Sequence, residues 1–313
     1  MNVKELAVKN KLVANIIFGP IPSRRFGMSL GLDLSPNVKQ CNFDCLYCEL
    51  SYAKTLSKQI DVISVDDIIS ALKLALKNHK NIDVITFTAN GEPTLYPYLS
   101  ELIDEIDKIK GNIKTLILSN GANIYEPQIQ KTLSKIDIVK LSLDCVSKEC
   151  FKKLDRIDES VDCSKIVNGM VEFRALHKKQ LILETLFVKT LNDNDTEIEK
   201  LYEAFKLIKP NRIDIGTIDR PPAYAVTPVT HDALLNIADK LEGLPVTIAH
   251  KNKVINKQTY DKKEIISLLS RRPLTKEDIS NTFDEKSLDL LNSLVQIDEI
   301  KIVNNNGVEF YKI

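Results

Sequence analysis

Cys41-Asn-Phe-Asp-Cys45-Leu-Tyr-Cys48 is the stretch on which the sequence turns. Three of the chain's six cysteines fall within its eight residues, at C-x3-C-x2-C spacing. Thiolates so spaced can wrap one compact metal centre. A structural zinc site wants four ligands, usually as two separated pairs, and ferredoxin-type clusters also take four cysteines. Here three stand together, which leaves one position of a four-iron cluster open to a substrate or cofactor. The bland alternative is three cysteines packed as small apolar side chains. Asn42, Asp44 and Tyr47 make the segment a poor piece of core.

Outward from this segment, short runs rich in Val, Ile and Leu alternate with amphipathic stretches. The strand candidates are Leu30–Leu34, Val84–Thr88, Thr115–Ser119, Ile138–Leu143, Leu181–Val188 and Arg212–Thr217. Near-continuous apolar strands suit a sheet covered by helices. Helix patterns lie between them, near Ser64–Asn78, Leu99–Lys108, Pro127–Lys135, Ser164–Leu176, Thr196–Ile208 and Thr230–Glu242. Such alternation implies right-handed βαβ units, a parallel sheet or partial barrel, and ligands at the carboxyl ends of the strands. The expected fold is α/β, with a first domain over residues 1–250 and a polar linker over 251–263. Residues 264–313 read as three short helices and a hairpin through Asn304-Asn-Asn-Gly307, a small winged-helix-like domain.

The chain has 313 residues with 43 Lys and Arg against 43 Asp and Glu, so no bulk positive field holds nucleic acid. No apolar run approaches the ~18 residues of a membrane span, and no signal-peptide core is visible; the expected location is cytoplasmic, with no membrane partner. Six cysteines are too few for a disulfide scaffold in a chain this long.

With Tyr47 as the aromatic before the last cysteine, the motif resembles that of the radical SAM enzymes, CxxxCxxC. The resemblance covers roughly residues 15–250. It implies a partial (β/α)6 barrel and a [4Fe–4S] cluster on Cys41, Cys45 and Cys48. S-adenosylmethionine would chelate the fourth iron and be cleaved by one-electron reduction to methionine and a 5′-deoxyadenosyl radical. Asn90-Gly91-Glu92-Pro93, 42 residues beyond Cys48, is similar to the family's GGEP motif, which holds the methionyl amine. Gly91 allows close backbone approach and Glu92 offers a carboxylate to an ammonium; Asn90 replaces the family's first glycine. Ser119 and Asn120 end the third strand, and Ser142 and Asp144 the fourth, where the family contacts the cofactor. An electron donor such as flavodoxin or ferredoxin is the implied partner.

A narrower resemblance, to wyosine-type tRNA enzymes, rests on Gly19–Gly27 and on Thr217-Ile-Asp219-Arg220-Pro221-Pro222. It makes an RNA base, in tRNA, the expected substrate. Arg220 is the candidate catalytic side chain, and Arg24, Arg25 and Arg220 are the candidates for holding phosphate. Residues 1–60 carry eight Lys and Arg against four Asp and Glu, a net of +4. The chain departs from that subgroup in having no cysteine before Cys41 for a second cluster. The alternatives are a small-molecule or protein substrate, as in a glycyl-radical activase, and a metal-sensing regulator that binds DNA through the last domain. Residues 256–313, with nine Lys and Arg against ten Asp and Glu, argue against DNA. Cys145, Cys150 and Cys163 could ligate an auxiliary cluster, but their C-x4-C-x12-C spacing matches no ligand motif and favours three free thiols.

Overall fold

The computed structural model describes residues 16–23, 25–248, 257–271, 273–305 and 308–313. Its centre is an eight-stranded sheet in sequential order: β1 Ile17–Ser23, β2 Gly27–Asp33, β3 Val84–Thr88, β4 Lys114–Ser119, β5 Ile138–Ser142, β6 Gln180–Phe187, β7 Arg212–Thr217 and β8 Val246–Ile248. From β2 to β8 every neighbouring pair is parallel, and β1 runs antiparallel to β2. The six expected strands are all present. The two additions lie at the edges, where Pro20 and Pro22 of β1 are tolerated because an edge strand need not donate on both sides.

The helices form where the apolar period predicts. Helix Val65–Asn78 buries Ile68, Ile69, Ala71, Leu72 and Ala75 along one face, and the Ser64 hydroxyl oxygen caps it by accepting from the Asp67 N–H at 3.1 Å. Helices Leu99–Asp107, Pro127–Leu133, Ile166–Leu176, Asp195–Ile208 and His231–Lys240 follow successive strands. They cover one face of the sheet, and the large core gathers Ile85, Phe87, Ile117, Val139, Leu183 and Ile213 against them.

The alternate residues of the same strands face the other way. Val84, Leu116, Ile138 and Ile182, all near the amino ends of their strands, form a separate small cluster closed by Phe26 from the β1–β2 turn. Above it on this inner face Ser29 and Thr86 share a hydrogen bond of 2.7 Å. Next come Leu118, Lys140, Glu184 and Asp214. A Cβ built on Gly216 meets nothing within 4 Å, so the inner face is open at the carboxyl end of β7.

The last residues form a second unit. Helices Lys262–Arg271, Lys276–Thr282 and Glu285–Gln296 pack with β9 Leu274–Thr275, β10 Lys301–Asn305 and β11 Val308–Lys312, which make an antiparallel sheet in the order β10-β11-β9. Thr275 and Asp278 make a reciprocal capping box. Residues 257–261, expected as linker, pack with this unit. Tyr260 is buried beside Phe283, and its hydroxyl donates to the Pro20 carbonyl at 3.0 Å. The linker residues 251–256 lie outside the described residues.

Candidate active site

The three cysteines sit on the loop that leaves β2, and neighbours on several sides hold it. Asp44 N–H donates to the Asp155 carbonyl at 3.0 Å and Leu46 N–H to that of Leu154 at 2.9 Å. Leu56 N–H reaches the Cys41 carbonyl and Ala223 N–H the Cys48 carbonyl, both at 2.8 Å. Tyr224 donates to Asp44 at 2.7 Å, and Arg156 pairs with the same oxygen at 3.2 Å.

Cys41, Cys45 and Cys48 are free and partly exposed. Burial, followed by the Glu92 charge, pushes the Cys41 thiol up to about 12. Burial raises Cys45 and Cys48 as well, with Lys39 working against it at Cys48 from 3.6 Å. Thiols so placed lose their protons to a bound cation rather than to water. Three thiols on one loop fit a [4Fe–4S] cluster, which takes one thiolate per iron and can leave its fourth iron to another ligand.

The loop after β3 is fastened to the cysteine loop. Gln40 N–H donates to the Asn90 carbonyl and Glu92 N–H to the Gln40 carbonyl, each at 2.9 Å, which pairs Gln40 with Gly91. Gly91 has φ +133°, and a Cβ there would lie 1.9 Å from the Gln40 carbonyl oxygen. Only glycine fits, for sterics as well as backbone angle. The Gln40 side chain is fully buried. It accepts from Ile60 and Asp61 N–H at 2.7 and 2.9 Å and donates to Ser35 and to the Asp61 carbonyl at 2.8 and 2.9 Å. Nothing in the sequence marks Gln40, since a glutamine beside a cysteine motif reads as an ordinary loop residue.

Glu92 is 1% exposed and receives four donors. Its Oε1 accepts from Thr94 N–H at 2.9 Å, the Thr94 hydroxyl at 2.6 Å and the Ser119 hydroxyl at 2.7 Å. Its Oε2 accepts from Asn120 N–H at 2.8 Å. Burial raises its pKa, and these donors oppose the shift. The expected ammonium contact is thus left one lone pair on Oε2, while most of the carboxylate ties β3 to β4. Asn120 turns its amide toward Asn42 at 2.8 Å and toward the Cys41 sulfur at 3.7 Å.

Tyr47 and Asp144 meet, the phenol donating to Asp144 Oδ2. Asp144 Oδ1 accepts from Leu186 N–H at 2.6 Å. Burial lifts the Asp144 carboxyl to about 7, despite both bonds. Each oxygen has one donor, and the bond to Oδ2 orients the Tyr47 phenol. Ser142 lies on the inner face opposite Glu184 in register.

Of the arginines expected to hold phosphate, Arg25 and Arg220 pair with carboxylates of the chain itself. Arg25 enters the amino end of the sheet and pairs with buried Asp214, which Arg212 and Lys140 also approach at 2.8 and 3.4 Å. Arg220 does stand beside the cysteine loop, bonded to Glu49 at 3.3 Å. Burial works against its charge, but Glu49, Asp219 and Asp278 keep its pKa above the ordinary value. Arg24 lies outside the described residues. The expectation of three free thiols is also corrected. Ser147 caps a short helical turn that brings Cys150 back to Cys145, with Cα atoms 5.5 Å apart, and the two form a disulfide, so Cys163 alone of the three is free.

The Radical SAM superfamily model matches residues 38–205. A UPF0026 protein of Helicobacter pylori (strain J99) is 41% identical over 299 residues, 95% of this chain and 97% of that one. Among solved structures, a radical SAM methyltransferase from Sphaerobacter thermophilus superposes with a TM-score of 0.56 at 14% identity, over 71% of this chain and 66% of that one. SuiB of Streptococcus suis, bound to S-adenosylmethionine, gives 0.55 at 16% identity over 79% and 53%. These likenesses cover the α/β partial barrel as well as the cysteine loop, and the chain is a member of the radical SAM superfamily, an iron–sulfur enzyme whose cofactors are a [4Fe–4S] cluster and S-adenosylmethionine.

Proposed function

We propose that Cys41, Cys45 and Cys48 hold the cluster, that the loop Asn90–Glu92 holds the methionyl end of S-adenosylmethionine, and that a small substrate bearing an N–H donor reacts on the inner face of the sheet. A cluster held there would supply one electron to S-adenosylmethionine, and the two together would supply radical chemistry able to take hydrogen from a nearby carbon. The chain's own contribution is placement. Gln40 fixes the cysteine loop against Gly91, Asp144 orients Tyr47 for the cofactor, and Arg220 braces Glu49 beside Cys48.

The observation that carries the substrate class is Glu184. Its side chain is 47% exposed on the inner face, and one oxygen is committed to Lys140 at 2.5 Å. Lys140 itself is only 12% exposed, so a molecule entering the barrel meets the second carboxylate oxygen, an acceptor. The internal pairing of Arg25 and Arg220 supports this reading over RNA. An RNA base remains the second reading, favoured by Tyr52, which is 67% exposed and edge-on to Tyr224, with the Arg156 guanidinium 4.9 Å from the Tyr224 ring. That trio at the mouth suits a stacked base. Residues 264–313 are read as a winged-helix-like module, and a flavodoxin- or ferredoxin-type donor as the electron source.

Anaerobically reconstituted protein with dithionite and S-adenosylmethionine should release 5′-deoxyadenosine slowly. A low-molecular-weight extract of the source cells should accelerate it, and total tRNA should not. Glu184→Ala should remove the acceleration and leave the slow release. Acceleration by tRNA alone would transfer the assignment to the RNA base.

A further inference from the structure

Asp33, at the end of β2, is 1% exposed and belongs to no motif. Its Oδ1 accepts from Ser35 N–H and from Asn90 N–H, both at 2.9 Å, which sets the backbone on either side of the cysteine loop. Its Oδ2 accepts from Arg271 Nε at 2.8 Å. Arg271 is the last residue of helix Lys262–Arg271, so the cation that balances this carboxylate comes from the C-terminal unit.

Arg271 is held from several directions. Its Nη1 donates to the Ser267 carbonyl at 2.8 Å and to the Ser267 hydroxyl at 2.6 Å. Its guanidinium lies 5.1 Å from the Phe18 ring centre. The ring in turn occupies the space above Gly31, where a Cβ would come within 2.1 Å of it. Ile21 of β1 packs into the core of the C-terminal unit, and Tyr260 reaches Pro20. A planar fork that bonds a carboxylate on one side and a helix end on the other has no equivalent in lysine.

We infer that Arg271 is a positioning residue for the cofactor loop, making the C-terminal unit part of the S-adenosylmethionine site. The inference rests on the proposal that residues 90–92 hold the methionyl end. Without Arg271 the Asp33 carboxylate is a buried charge lacking its cation, and such a group moves toward water. Moving takes away the acceptor for Asn90 N–H. The Asn90 carbonyl and Gly91 are bonded to Gln40, so the disturbance falls on the cofactor loop while the three thiols keep their own supports at Leu154, Asp155 and Ala223.

The test uses the full, iron-loaded chain and measures three things. These are iron per chain, the dissociation constant for S-adenosylmethionine, and the change that S-adenosylmethionine produces in the paramagnetic resonance of the reduced cluster. Arg271→Met should weaken binding by about tenfold or more, the scale of one charge-assisted hydrogen bond, blunt the resonance change and leave iron content intact. Arg271→Lys should fall between Met and wild type. Tyr260→Phe removes a docking bond outside the Asp33 network and should bind S-adenosylmethionine as wild type does. Equal affinity in wild type and folded Arg271→Met overturns the inference, as does iron loss in step with affinity. If Arg271→Met does not fold, Arg271→Lys decides, and wild-type affinity there is the overturning result. Glu92→Ala separates the two layers. If it too leaves affinity unchanged, the loop assignment is at fault; if it weakens binding and Arg271→Met does not, the relay is.

Discussion

At the carboxyl end of the sheet, Gln40, Asn120 and Glu92 are satisfied one hydrogen bond at a time by backbone amides, hydroxyls and side-chain amides. At the amino end Asp214 instead draws in Arg25, Arg212 and Lys140, and Lys140 goes on to Glu184. Both regions bury polar atoms. The first spends no cation on its thiols beyond Lys39, and leaves them to a charged guest. The second is closed on itself, three cations against two carboxylates, and exposes mainly Glu184. Arg25, which the sequence puts near the entrance, is therefore not at the entrance in space. Arg25 closes the floor of the barrel, the rim carries the proposed cofactor site, and Glu184 between them faces the proposed substrate.

The comparison predicts losses of different kinds. The largest is at the rim. Alanine at Cys41, Cys45 or Cys48 should abolish iron incorporation and 5′-deoxyadenosine release while leaving the far-ultraviolet circular dichroism unchanged, because backbone bonds to Asn90, Leu154, Asp155 and Ala223 hold the loop. Retention of about four irons per chain in any of the three would contradict the assignment.

Next comes the floor. Asp214→Ala leaves three cations with Glu184 as their one carboxylate in this network and should cost about 3–5 kcal/mol of stability, read as a shift in the urea midpoint. The folded fraction should still take up iron. A loss of iron without loss of stability would mean that the two ends are coupled. Ser119→Ala is gentler: it removes one of four donors from Glu92, for about 1 kcal/mol, and should raise the dissociation constant for S-adenosylmethionine only slightly.

The smallest effect lies at the amino edge. Burial alone would raise the carboxyl of Asp137, but Lys179 and the N–H and hydroxyl of Thr115 outweigh it and lower the pKa to about 2. A depressed carboxyl stabilises the fold above its unfolded value of 3.8 and loses that contribution as pH falls through about 2. Asp137→Asn should therefore be slightly less stable at neutral pH, with the difference shrinking between pH 4 and pH 2. A difference constant across that range would show that the charge is not the cause.

The strands of the barrel were legible because their apolar runs are nearly continuous, and the helices between them because their apolar residues recur at helical spacing. β1 was not, since Pro20 and Pro22 read as loop until a sheet edge is available to receive them. The cysteine motif carried its own geometry. The residues that steady it did not: Gln40, Asp33 and Asp155 act through partners distant along the chain, and a lone polar residue has no periodicity to betray it. Cys145 and Cys150 were read apart because the turn that joins them depends on the Ser147 cap.

Two glycines of the barrel face opposite fates under mutation. At position 91 the Gln40 carbonyl fills the place of a side chain, whereas at position 216 an added methyl would meet open space. A library saturating both codons would return a single letter at the first and a spread of small ones at the second. The narrowing at 91 would reflect assembly of the cofactor site. Whatever bias survives at 216 would describe the shape of the molecule that the barrel admits.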